Sequence, residues 1–288
     1  MNSALWTRQF WKTTREVSIT GIIQEAEMGI SIVLSGSPEF EESARNSLGI
    51  TPAITARESS PTKPVRVIAI TESASQDRPT GSFTYCAEHI GGIERTIERV
   101  LEDNPEYRIS LARQYPGLRA QVSAEIIQTC ATGNAEFAML NALPGVVPIM
   151  APLLPAGAIS DMIMLTKNQA MMLYRLAAVY GKPLDMGSRS KDLAPLLGNA
   201  FSWRAIAREL IGMVPGGVGL VARGAIAYAG TMALGKALAK FHATGKQANG
   251  QDIRKYYRES LDTGKALAAD LAKKLLRKKR KVEPKSIA

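Results

Sequence analysis

Apolar positions alternate or run together in two short stretches early in the chain, "ISIVLS" at 30–35 and "VRVIAI" at 65–70. Both are β-branched and bounded by Gly, Ser and Pro, which predicts strands. Between them "EFEESARNSLG" has a helical composition closed by Gly49, so the order is strand, helix, loop, strand, the outline of a small βαβ unit. Ahead of it, residues 5 to about 28 predict one or two short helices with Trp6, Phe10 and Trp11 on a common side and Ile19, Ile22 and Ile23 continuing the apolar character.

From about residue 91 the apolar spacing becomes helical. Ile93, Ile97 and Val100 recur in this way, as do Val122, Ile126 and Cys130 on a helix expected from about Leu118 to Leu143. Pro144, Pro148, Pro152 and Pro155 break "LPGVVPIMAPLLPAG". A second helix, about Ala158 to Tyr180, closes at Gly181 and Pro183, and the two predict an antiparallel hairpin with a long apolar tip. The pattern then roughly repeats. "FSWRAIARELIGM", with Ser202 as N-cap, is followed by the break "VPGGVGL" and by a helix rich in small residues, where Gly224, Ala227 or Gly230, and Gly235 allow close approach. After the polar linker "ATGKQANGQD" a last helix runs to about Lys281.

The fold class expected is therefore mainly α: a helical domain of two apolar hairpins, a small α/β N-terminal portion with two short strands, and a basic C-terminal helix. The boundaries expected are 1–107 for an α/β nucleotide-binding-like portion, 108–246 for the helical domain, and 247–288 for linker and basic helix.

The 288 residues, 45% of them hydrophobic, can supply a sizeable core and exclude a disordered chain. Of the net charge of +10, about +7 lies between Lys273 and Lys285, where only Glu283 opposes the cations. In this tail Leu267, Leu271 and Leu275 recur every four residues while Lys273, Lys274, Arg277 and Lys278 fall mostly opposite, a basic amphipathic helix suited to an anionic membrane surface. The same cations fit nucleic acid phosphates, although no aromatic residues are interleaved for base stacking, and they also fit a plain solvated tail. Cys86 and Cys130 are too few for a disulfide framework, so a reducing compartment is expected, and the N-terminus lacks the pattern of a secretory signal.

The strand at 30–35 leads into letters that begin like a phosphate-binding loop. Aligned on Gly36, the first Gly and the final Ser43 of G-x-x-x-x-G-K-[ST] are in register. Glu41 stands where the second Gly belongs and Glu42 where the Lys belongs, while Pro38 removes a backbone donor. This degenerate loop should repel a nucleotide triphosphate, and an ordinary strand-to-helix turn would give the same letters. His89 and His242 show no metal spacing, and no G-x-S-x-G elbow is present. No catalytic residue, metal site or cofactor is expected.

The segments "LTKNQ", "ARELIGMVPGG" and "AYAGTMALGKAL" within roughly 108–246 resemble the bacterial domain of unknown function found in YcjF-type membrane proteins and behind GTPase domains. The resemblance covers about half the chain and implies a helical domain, membrane association and GTPase company. It also makes the loop at Gly36 the relic of an upstream GTPase. The run from Phe137 to Ser160 carries no charge, and Val146, Val147, Ile149, Met150, Leu153 and Leu154 are its expected membrane or partner contacts, together with Lys273, Lys274, Arg277 and Lys278. Four prolines favour a re-entrant or interfacial hairpin, and Arg223 should then lie near a membrane boundary. Mean hydropathy of −0.05 suits a soluble bundle as the alternative. Asp161, Lys167, Asn168, Gln169, Arg204, Arg208 and Glu209 are expected to bond between helices.

The function expected is a non-catalytic membrane-associated adaptor or scaffold on the cytoplasmic side, working with a protein partner that the resemblance makes a GTPase. Two alternatives stand beside it: a nucleotide-responsive regulator whose site a partner completes, and a helical bundle binding nucleic acid through its tail.

Overall fold

The computed structural model describes residues 19–50, 66–74, 83–140, 154–185 and 219–282; side chains at 154–166, 276 and 278–282 are not described. The fold is mainly α with a small parallel sheet, as the hydrophobic pattern predicts. The chain forms two compact units: a sheet unit of Ile19–Ala124 with Tyr174–Leu184, and a helical unit that includes Glu125–Leu173 and Asp185–Ala288.

The sheet unit runs α1 (Thr20–Glu27), β1 (Ile30–Ser35), α2 (Pro38–Leu48), β2 (Arg66–Thr71), β3 (Phe83–Cys86), α3 (Ala87–Ile90), α4 (Ile93–Asp103) and α5 (Arg108–Gln114), with 3-10 turns at Pro105–Tyr107 and Pro116–Leu118. Three parallel strands stand in the order β1-β2-β3, so the two-strand expectation was one short. β3 escaped it because four residues show too little periodicity, and Phe83 is exposed. Central β2 buries Ile68, Ala69 and Ile70. Gly49 ends α2 in the left-handed conformation at φ 70°, and its amide donates to Asn46 while that of Ile50 donates to Arg45, a closure that favours glycine.

Side chains from α5 and the turn after it bond along the outer edge of β1. The carbonyls of Gly29 and Ser35 accept from the amides of Arg66, in β2, and Glu72, just after it, so alternation turns the Ile32 amide away from β2. That amide donates to the Tyr115 hydroxyl at 2.9 Å, and Gln114 Nε2 donates to the Met28 carbonyl at 3.1 Å. An unpaired strand edge is thereby occupied by side chains. These bonds place α5 with the sheet, whereas the expected boundary at 107/108 assigned it to the helical domain.

In the helical unit α6 (Arg119–Leu140) and α7 (Leu154–Val179) match the first expected hairpin, and their first and last turns respectively complete the sheet unit. Pro155 lies inside α7 rather than in the break, since the first turn needs no amide at that position. Gly181, at φ 69°, receives the chain after α7, and the Lys182 amide donates to Ala177. Cys130 and Asn134 of α6 bond to Asn168 of α7.

α8 (Leu220–Thr244) and α9 (Gly250–Val282) form a second antiparallel hairpin, pinned in the half next to its connecting loop by Lys236–Glu259 at 3.3 Å and Lys240–Asp252 at 2.9 Å. The partner expected for α8, at 201–213, lies outside the described residues, as do Ser202, Arg204, Arg208, Glu209 and the N-terminal tryptophans. α9 was expected as a separate tail beyond a linker. It instead packs along α8 because Gly224, Ala225, Ala229 and Ala233 leave a shallow face for Tyr257, Leu261, Gly264 and Ala268.

Candidate functional site

The carboxyl ends of parallel strands are where open α/β sheets hold ligands. At the end of β1, Ser37 caps α2 by accepting from the Phe40 amide at 3.3 Å, Pro38 takes the first helical position, and Glu39 and Glu41 fill the acidic first turn. Helix therefore begins directly after Ser37. Glu41, Glu42 and Ser43, which a phosphate loop would need near irregular backbone, lie on α2 itself, with Glu41 paired to Arg45 at 3.0 Å and Glu42 and Ser43 exposed. Only Gly36 and Ser37 separate strand from helix.

Sequence reasoning missed the residue that matters most here. Glu72, directly after β2, turns its carboxylate into the β1–α2 turn, accepting from the Ser37 amide at 2.6 Å and from the Ser37 hydroxyl at 3.0 Å. A side-chain anion thus occupies the amide that a phosphate would seek at this helix N-terminus. Gly36 is fitted closely: a Cβ there would come within 2.5 Å of Phe40 Cδ1 and 2.9 Å of Glu72 Cβ. The one available signal was Glu72 itself, a carboxylate just past a buried strand and 35 positions from Ser37.

Strand order adds to this. The sequence β1-β2-β3 matches one half of a doubly wound 3-2-1-4-5-6 sheet, whose ligand crevice opens where a fourth strand joins β1 on its other side. That side of β1 carries Tyr115 and Gln114.

Beside the end of β3 lies a hollow of about 590 Å³, lined by Tyr85, Cys86, His89, Arg99 and Asp103 among others. Four of its polar groups are held by hydrogen bonds. Asn104 donates to the Tyr85 hydroxyl at 2.9 Å, Arg99 donates to Asp103 at 3.0 Å, and the Cys86 thiol points to the Glu72 carbonyl at 3.9 Å. Burial raises the Tyr85 pKa, opposed in part by the Asn104 hydrogen bond. No group of three or more metal-ligating side chains is present among the described residues.

In the helical unit Asn134 is buried, donating to the Thr231 hydroxyl at 3.0 Å and accepting from Asn168 at 3.0 Å. This joint between α6, α7 and α8 realises the helix-to-helix bonding expected of Asn168, whereas Lys167 is exposed and the Asp161 side chain is not described. Arg223 is exposed.

Among the expected contact residues, Lys273, Lys274 and Arg277 are exposed on α9. Lys278 lies on that helix with its side chain not described, and the same holds for Leu154 on α7. Val146, Val147, Ile149, Met150 and Leu153 lie outside the described residues. Among the described residues no helix is long and apolar enough to cross a membrane. No family model matches the chain, and neither a curated protein nor a solved structure is detectably similar to it.

Proposed function

We propose that this chain is a non-catalytic, membrane-associated adaptor or scaffold that works with a protein partner, a GTPase being the partner implied by the resemblance over 108–246. The observation that carries the non-catalytic half is the Glu72 carboxylate on the Ser37 amide. A triphosphate arriving there would have to displace a hydrogen-bonded carboxylate and meet the acidic first turn of α2, with no lysine in the turn to offset the repulsion. Membrane association is supported by the uncharged 137–160 segment and by the cations that end α9.

Titration calorimetry of the full chain with magnesium GTP and magnesium ATP tests the first half, and the expected outcome is no binding. Micromolar affinity would favour a nucleotide-responsive regulator, and recovery of binding by Glu42→Lys would support descent from a working loop. Fractionation of cells expressing the full chain tests the second half, by asking whether salt, alkaline carbonate or only detergent frees it from membranes. A wholly soluble distribution would overturn membrane association.

A further inference from the structure

Three chain elements meet at one end of the helical unit. Met139, near the end of α6, packs with Ala268 and Ala272 of α9, and Leu220 and Val221 at the start of α8 lie against the same cluster. Leu271 and Leu275 join it, while Leu267 packs on Tyr228, Ala131 and Ala135. The leucine stripe is therefore partly buried against α6 and α8. The sequence had suggested a helix lying on a bilayer with that stripe buried in lipid, and its leucines instead pack within the helical unit.

What α9 leaves outside is charge. Lys273, Lys274 and Arg277 are exposed, and between Lys273 and Lys281 seven of nine residues are Lys or Arg, on a helix that continues to Val282. Asp270, 3.4 Å from Lys273, is the nearby acid, and both side chains are about 70% exposed, so the pair is well solvated. Cations at a helix C-terminus are also favoured by its dipole.

We propose that this basic end of α9 docks the chain on an anionic lipid surface by charge alone, with no insertion of the helix; the proposal rests on the membrane-associated reading above. Lipid is favoured over nucleic acid by the placement of the aromatic residues. The aromatic residues of α9, Tyr256 and Tyr257, stand about four turns back, and Tyr257 is buried, so no base-stacking platform accompanies the cations.

The test uses the full chain and vesicles of phosphatidylcholine with and without phosphatidylglycerol, read by co-sedimentation against rising sodium chloride. Binding is expected only to the anionic vesicles, with release by salt. The triple variant Lys273→Gln, Lys274→Gln, Arg277→Gln should bind about a hundredfold more weakly. A control removing equal charge near the other end of the hairpin, Lys246→Gln, Lys255→Gln, Arg258→Gln, should bind like the parent, and unchanged circular dichroism and melting would show both variants folded. Equal binding to neutral and anionic vesicles, untouched by the triple variant, would overturn this proposal and leave membrane association through another segment standing. Failure to bind any vesicle would overturn both. Salt-sensitive binding to duplex nucleic acid that the triple variant loses, without vesicle binding, would reassign the basic end.

Discussion

The Tyr115 hydroxyl accepts the amide hydrogen of Ile32 across 83 positions of sequence, satisfying an outward-facing donor at the edge of the sheet. Tyr115 is buried, so water is poorly placed to replace it. Tyr115→Phe keeps the ring and strands the amide, and should cost about 1–2 kcal/mol in urea unfolding. A loss confined to a few tenths would mean that this edge is open to solvent.

Two helical glycines should respond in opposite senses to alanine. At Gly264 a Cβ would come within 2.9 Å of the Tyr228 ring and 3.1 Å of the Ala225 carbonyl, forcing α8 and α9 apart. Gly264→Ala should lower stability by about 1–3 kcal/mol. At Gly133 nothing lies within 4 Å of the added carbon, so Gly133→Ala should raise stability by about 0.5–1 kcal/mol. Thermal melts of the pair give the comparison, and two changes of the same sign would contradict the packing described for α8 and α9.

Asn134 joins Thr231 and Asn168 in a buried site, so Asn134→Ala leaves two polar partners without it. The expected cost is about 2 kcal/mol, and a cycle with Asn168→Ala should return a coupling of about 1 kcal/mol. Additive losses would mean that the two side chains act independently.

Burial pushes the Tyr257 hydroxyl up to about 12 from an ordinary value of 10.0. Between those values the folded chain holds a proton that the unfolded chain releases, so stability falls as pH rises through that window and is unaffected by this group below it. Tyrosinate absorbance should show Tyr257 among the tyrosines that titrate late, its late step lost in Tyr257→Phe, and that variant should flatten the alkaline loss of stability. Titration of all eight tyrosines together near the ordinary value would refute the assignment.

Periodicity carried much of the architecture. β1, β2, the hairpin of α6 and α7 and the stop at Gly181 were legible because local spacing and capping chemistry agree with the final packing. What escaped depends on pairing between distant positions. Nothing near Tyr115 indicates that it bonds to β1, and nothing near Glu72 indicates that it occupies the turn before α2. The basic helix was legible as amphipathic, but its leucines alone cannot tell a lipid surface from the apolar residues of α6 and α8. Met139 and Tyr228, well back in the chain, are the contacts that decide between them.

The sheet unit is discontinuous along the chain, taking Ile19–Ala124 and then Tyr174–Leu184. On the ribosome the sheet and its helices would emerge early but wait for the returning segment, whose Ala178 carbonyl accepts from Arg113 and whose Tyr180 ring lies 5.9 Å from the Arg119 guanidinium. Synthesis of the first hairpin and completion of the sheet unit thus become a single event. A single cut after Leu184 frees that unit only with Glu125–Leu173 still attached.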